Sequence, residues 1–401
     1  MELSREHLRP VITEAITHQL TESGGKSSPD NEVLVKEAAE RLLDEAIASG
    51  RIKGANVADL RSFSAGNSSM MVARMVTDLS FVVKIDENPA VVNEADILRR
   101  AGEDTSLPEA TRQAFPRIYA IDRVGPIYGY LMEDLSMCAP LHEVLATGDQ
   151  QLNQNLLCEL WRSLLEPAYR ATRSERLIPN VAEDYFARAG RRLASAAADG
   201  LLPRPEDYLV FVDQTGDRFE SQGWGAELRW ATTALARVAP PFGTFVHGDP
   251  NPENVLVDRR FGDATFRLLD PKNWWVGDYL FDVAKLMHYT RITGPAEHAD
   301  LRVLRSVTDR ECLIEYDRTI LNNNGVLEDE FLNVISAFAE SPTVNDSPDW
   351  RIRYRLAVAA NLIGITGPRI QKGQESIALI ALGEGLRELR VAASMLQAAR
   401  A

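Results

Sequence analysis

The chain of 401 residues contains only three cysteines, Cys138, Cys158 and Cys312. Odd in number and scattered, they build no disulfide framework and show no paired metal-ligand spacing. No apolar stretch approaches the roughly 18 residues needed to cross a bilayer. The opening MELSREHLRP carries charge where a secretory leader needs an apolar core. A reducing, cytoplasmic location with no membrane partner is therefore expected. Positive charge is also short: 44 Lys and Arg stand against 58 Asp and Glu, a formal charge of −14. Such a surface repels polyphosphate, so nucleic acid is not the expected partner, whereas Mg²⁺ and amine-bearing small molecules are tolerated. Internal repeats and low-complexity tracts are missing too. What is present is ordinary globular material, with 45% hydrophobic and 25% charged residues, enough for a real core and against wholesale disorder.

Residues 1–56 read as a helical extension. HLRPVITEAITHQL and VLVKEAAERLLDEAIASG carry apolar residues at three- and four-residue spacing around the polar turn TESGGKSSPD. Gly25-Lys26-Ser27 mimics the end of a P-loop, but the first glycine of that motif would fall on Leu20 and no strand precedes it. Residues 57–135 read strand–strand–helix–strand–strand, through MMVARMV, LSFVVKID, PAVVNEADILRRA, RIYAIDRV and IYGYLMED. Residues 136–401 read as mostly helical. Within them 201–224, rich in Pro, Gly and Asp, reads as an inserted loop, a short β signal returns near 244–270, and the tail is helical from residue 297 onward. The expected fold class is α+β, a small β-rich lobe followed by a larger helical one.

The chemistry concentrates in FVHGDPNPENVLVD and the following FRLLDPKNWWVGDYLFDVAKL. His247-Gly248-Asp249 is followed by Asn254 and then by Asp270 at the end of the next β run. Average residue usage gives about one chance in a thousand of finding H-G-D-x-x-x-x-N in a chain of this length. Phosphoryl transfer needs a carboxylate to orient the attacking hydroxyl and oxygen ligands for the Mg²⁺ that bridges nucleotide phosphates. An Asp on a loop, an Asn where the loop re-enters a strand, and an Asp on the returning strand suit that need. Upstream, Lys84 lies among Phe81, Val82, Val83 and Ile85, and a lysine inside an apolar strand requires an anion. Glu94 and Asp96, on the next helix, are the candidates.

These motifs resemble those of the aminoglycoside phosphotransferase and choline kinase family, small-molecule kinases with a protein-kinase-like fold. The resemblance implies a two-lobed fold, with 57–135 as the nucleotide-binding lobe and 136–401 as the helical lobe carrying a catalytic loop at 247–254. It implies Asp249 as catalytic base, Asn254 and Asp270 as Mg²⁺ ligands, and Lys84, paired with Glu94, on the phosphates of ATP or GTP. Ser64, Gly66, Asn67 and Ser68 resemble the family's nucleotide loop. The main chain of Glu133 and Leu135 takes the place that meets the purine edge. His247 is expected to brace the loop, as is one of Asp278 and Asp282, which share a helix face. The expected acceptor is a small-molecule hydroxyl on a sugar, an aminocyclitol or an antibiotic, with choline-like amino alcohols second.

Pro271-Lys272 departs from the aromatic residue that many members carry after the metal aspartate. Lys272 is either an acceptor or phosphate contact or a solvated lysine. Trp274 and Trp275 either stack on a ring-shaped acceptor or pack in a core. His288 and Glu297 are acceptor-pocket candidates without support in the sequence. Two rivals stand beside the small-molecule kinase. A nucleotide-sensing pseudokinase is opposed by the retained Lys84, Asp249, Asn254 and Asp270. A protein kinase is opposed by H-G-D in place of H-R-D and by the Pro-Lys that follows Asp270.

Overall fold

The computed structural model describes residues 29–49, 59–63, 71–76, 80–213, 216–259, 264–272, 275–298, 303–307, 311–322 and 325–399. They fall into two units, one built on the chain up to Ala139 with Leu256–Lys272, the other on Pro140–Val255 and the chain from Asn273 onward.

The first unit begins with α1 (Pro29–Ala48), β1 (Asp59–Phe63), β2 (Met71–Val76), β3 (Ser80–Asp86), α2 (Ala90–Glu103), α3 (Glu109–Ala114), β4 (Ile118–Val124) and β5 (Ile127–Glu133). Its strands form one antiparallel sheet in the order β1-β2-β3-β5-β4. Side chains alternate across a strand with period two, and in β3 that period decides the site. Phe81, Val83 and Ile85 join Val35, Ala38, Leu42 and Leu43 of α1 in one buried cluster. Each large apolar side chain buried there stabilises the fold by about 1.5–3 kcal/mol. Lys84 is thereby turned to the opposite face, toward Tyr130, its register partner on β5. Tyr130 packs there with Val91 and Ala95 of α2. The stretch read as an N-terminal extension thus contributes α1 to the small unit's core, while the helix expected over 7–20 lies outside the described residues.

The second unit continues with α4 (Leu141–Thr147), α5 (Gln150–Leu160), α6 (Glu166–Thr172), α7 (Arg188–Ala198), β6 (Tyr208–Asp213), β7 (Arg218–Ser221), α8 (Trp224–Leu235) and β8 (Thr244–Val246). The chain then enters the first unit through β9 (Val255–Asp258) and β10 (Thr265–Leu268), which are neighbours in a sheet. It returns to the second unit with β11 (Trp275–Gly277), α9 (Tyr279–His288), β12 (Leu304–Val307), β13 (Glu311–Tyr316), α10 (Gly325–Ala339), α11 (Trp350–Gln371) and α12 (Glu375–Ala398).

Two expectations are corrected here. Residues 201–224 are not a bare loop: they hold the β6–β7 pair. The tail is not helical throughout, because β12 and β13 interrupt it. All four strands make one sheet in the order β12-β13-β6-β7, with β13 running parallel to β6. YLVFVD and ECLIEY hold residues that strands favour, Val and Phe in the first and Ile and Tyr in the second, but they stand in stretches otherwise rich in Pro, Gly and Asp or in helical pattern. Each pairs with a near neighbour in sequence, β6 with β7 and β13 with β12, and the two hairpins join through β6 and β13 across about a hundred residues. The pairing that matters for function is β8 with β11, Val246 opposite Trp275 and Thr244 opposite Gly277. It brings the segment after β8 beside the start of α9.

Candidate active site

In the first unit one ammonium serves two carboxylates. Lys84 Nζ lies 2.8 Å from both carboxylate oxygens of Glu94 and 3.4 Å from Asp270 Oδ1. Tyr130 Oη donates to Glu94 Oε1 at 2.5 Å. Of the two candidate partners, Glu94 holds the lysine, because Asp96, two residues further round the helix, pairs with Arg99 at 2.7 Å instead. Burial by itself would depress Lys84, but Asp270 and Glu94 outweigh it and raise its pKa. Burial and the Asp270 charge push Glu94 up to about 7 against the pull of Lys84. Burial raises Asp270 too, yet Lys84, the Glu94 hydrogen bond and Lys272 together keep it below the ordinary range. One cation cannot fully neutralise two acids. The enclosed Glu94 therefore takes the proton first, and Asp270, with 43% of its side chain exposed, keeps its charge. Asp270 also adopts φ 50°, a left-handed conformation that aspartate tolerates.

Glu133 ends β5. Its N–H donates to the Arg117 carbonyl at 2.9 Å, and its carboxylate accepts from Arg267 at 2.6 Å. Arg267 outweighs the burial that would raise Glu133, and the carboxyl is held low. The side chain is thus committed within its own unit. The Leu135 carbonyl accepts from the Cys138 N–H at 2.9 Å, turning the chain directly after that position.

In the second unit the segment after β8 is held from α9. Asp282 accepts the His247 N–H at 2.7 Å and the Gly248 N–H at 2.8 Å, one on each oxygen, and the Tyr169 hydroxyl at 3.1 Å. Gly248 has φ 82°, a conformation open to glycine without strain, which accounts for the middle residue of H-G-D. The Asp249 N–H donates to His247 Nδ1 at 3.3 Å, so His247 braces the turn from inside. Asn254 Nδ2 donates to the Asp249 carbonyl at 3.0 Å, and Asn251 Oδ1 accepts from the N–H groups of Glu253 and Asn254 at 2.8 and 3.3 Å. Asp278 does not take part. It caps α9 at the Leu280 N–H and binds Arg353 Nε at 2.6 Å and the Tyr185 hydroxyl at 2.9 Å.

Asp282 is fully buried, and burial pushes its pKa up to about 7 although its three donors favour the charged form. A folded-state value raised above the unfolded one gives stability that is present below the unfolded value and lost as pH rises through 7. Asp282→Asn keeps one acceptor oxygen and orphans an N–H, at a cost of about 1–3 kcal/mol. The stability gap between wild type and Asp282→Asn should narrow as pH rises from 4 to 8. Urea denaturation of both proteins across that range checks this, and a constant gap would contradict it.

Ser64, Gly66, Asn67, Ser68 and Trp274 lie outside the described residues, and Trp275 is described only by its backbone, in β11. Lys272 is exposed and acts on Asp270 through its charge. Tyr130, Asn251, Arg267 and Lys285 escaped the sequence reading. Only Asn251, inside the motif, carried a local signal. Among the described residues no three His, Cys, Asp or Glu side chains form a self-sufficient metal cage. Mg²⁺ does not need one, since phosphates and water supply much of its shell. An ionised, partly exposed Asp270 and the amide oxygen of Asn254 are hard donors that suit it.

The family model described as "Phosphotransferase enzyme family" matches residues 59–316. No curated protein matches the chain by sequence. Among solved structures, the crystal structure of aminoglycoside phosphotransferase APH(4)-Ia is 14% identical with a TM-score of 0.53, over 88% of this chain and 98% of that one. A thermostable mutant of it, in ternary complex with AMP-PNP and hygromycin B, is 14% identical with a TM-score of 0.51, over 86% and 97%. Plasmodium vivax ethanolamine kinase is 10% identical with a TM-score of 0.47, over 83% and 81%. The two APH(4)-Ia structures show that the α+β fold is protein-kinase-like.

Proposed function

The chain belongs to the phosphotransferase enzyme family, and from that premise we propose that it is a Mg²⁺-dependent small-molecule kinase, moving the γ-phosphoryl of ATP or GTP onto a hydroxyl of a sugar, aminocyclitol or antibiotic. The observation that carries the proposal is the meeting of Lys84 with Glu94 and Asp270. A cation shared by two acids, one of them partly exposed, suits a site that receives phosphate and metal. The acceptor oxygen forms a bond to the γ-phosphorus, the bond from that phosphorus to the β–γ bridging oxygen breaks, and the hydroxyl proton passes to Asp249. Lys84 binds the nucleotide phosphates and Glu94 keeps it aimed. The main chain at Glu133 and Leu135 meets the purine, and Ser64, Gly66, Asn67 and Ser68 cover the phosphates. Asn254 and Asp270 would hold Mg²⁺, which when bound neutralises charge on the phosphate oxygens. Lys272, Trp274 and Trp275 are proposed to contact the acceptor.

Nucleotide consumption in Mg²⁺ against a panel of sugars, aminoglycosides, nucleoside antibiotics and amino alcohols, with the product identified by mass, tests this. A phosphorylated sugar or antibiotic is expected. An amino-alcohol product would move the acceptor class, and nucleotide binding with no transfer across the panel would favour a sensor. Lys84→Met should lower kcat/KM for nucleotide by about 10- to 100-fold, the worth of a charge-assisted contact. Wild-type kinetics in that variant would mean the phosphate lysine lies elsewhere.

A further inference from the structure

Phosphoryl transfer asks a protein mainly for positioning and electrostatic stabilisation. A carboxylate that receives the hydroxyl proton must therefore be aimed. Lys285, on α9, sits one helical turn after Asp282, on the same face. Its Nζ lies 3.2 Å from Asp249 Oδ1, and each side chain is 13% exposed. Asn251 Nδ2 reaches the same oxygen at 3.4 Å. One face of α9 thus grips the loop twice, Asp282 by its backbone and Lys285 by its carboxylate. Arg192, on α7, also feels the Asp249 charge, but its Nη1 donates to the Gly364 carbonyl at 3.2 Å. A lysine this enclosed needs an anion, and the anion it has taken is the proposed base.

We infer that Lys285 is a positioning residue for Asp249, pinning Oδ1 so that the acceptor hydroxyl is met by Oδ2; the inference rests on the phosphotransferase reading above. Misplacement of a reacting group by an ångström costs about a hundredfold, which sets the size of the effect.

The test is Lys285→Met and Lys285→Arg, each made in wild type and in Asp249→Asn. Lys285→Met should lower kcat about 10- to 100-fold with the nucleotide KM kept within about twofold, and Lys285→Arg should recover most of the loss. In the Asp249→Asn background Lys285→Met should change kcat by less than about twofold, because the group it aims has gone. An equal loss in both backgrounds would mark a merely structural lysine and overturn the inference. A crystal structure of Lys285→Met gives a second answer that needs no acceptor. Asp249 should leave its position and lose Asn251; an unmoved Asp249 overturns the inference. Wild-type protein that transfers nothing to any acceptor would count against the kinase reading alone, and the Asp249 position in the variant crystal would still decide the role of Lys285.

Discussion

Asp249→Asn should lower turnover by about 10²- to 10⁴-fold, the usual worth of a positioned general base. Nucleotide affinity should stay within about threefold, because the contacts proposed for the nucleotide come from other side chains. The substitution keeps the shape of the side chain and leaves Lys285 an amide oxygen, so the loop, held by Asp282 at His247 and Gly248, should keep its form. Steady-state kinetics with the acceptor found by the panel, beside calorimetric titration with Mg·nucleotide, separates the two effects. Unchanged turnover would remove Asp249 from the chemistry. A parallel fall in nucleotide affinity would mean that it binds rather than reacts.

The largest effect on stability is expected at Arg353. Its guanidinium is fully buried in α11, with Nε 2.6 Å from Asp278 Oδ2 and Nη2 2.7 Å from Asp346 Oδ2. Asp346 also accepts from the Tyr279 hydroxyl at 2.8 Å, so three segments of the second unit close on one cation. Burial works against the charge, yet Asp278 and Asp346 hold Arg353 well above its ordinary pKa. Arg353→Met leaves two enclosed carboxylates without their cation, which should cost about 3–5 kcal/mol. In a unit of this size that lowers the midpoint of its thermal transition by roughly 6–20 °C. Adding Asp278→Asn and Asp346→Asn should recover much of the loss, since the penalty is the stranded charge and not the missing bond. Differential scanning calorimetry of the single and triple variants decides it. An unchanged midpoint in Arg353→Met would mean that the pair contributes nothing net.

Asp278 shows where sequence reasoning reaches its limit. It shares a helix face with Asp282, and nothing in G-D-Y-L-F-D says which acid turns toward the loop. The β8–β11 pairing decides, placing Asp282 under two loop N–H groups and leaving Asp278 to cap α9 and meet Arg353 from a helix 75 residues on. Glu94 and Asp96 posed the same ambiguity on α2, and Lys84 resolved it across the sheet. Four of the small unit's five strands, its helix α2 and the loop motif were legible because alternation, helical period and a glycine-bearing turn are local properties, whereas β1 and the short α3 were not read. The β6–β7 and β12–β13 hairpins were misread beneath the Pro, Gly and Asp content of 201–224 and the helical pattern of the tail, and only the β6–β13 pairing that joins them is long-range.

The amino-acid order alone determined the α+β class, the H-G-D-x-x-x-x-N loop and the lysine that had to find an anion. Each rests on neighbours within a dozen residues, whose backbone and solvation preferences act before any fold exists. Tertiary structure decided that Lys84 serves Asp270 as well as Glu94, that α1 backs the small unit's sheet, that Asp282 holds the loop and that Lys285 grips Asp249. Those choices bring charges together from distant positions, and an isolated charge is costly to bury until the fold supplies its counter-ion.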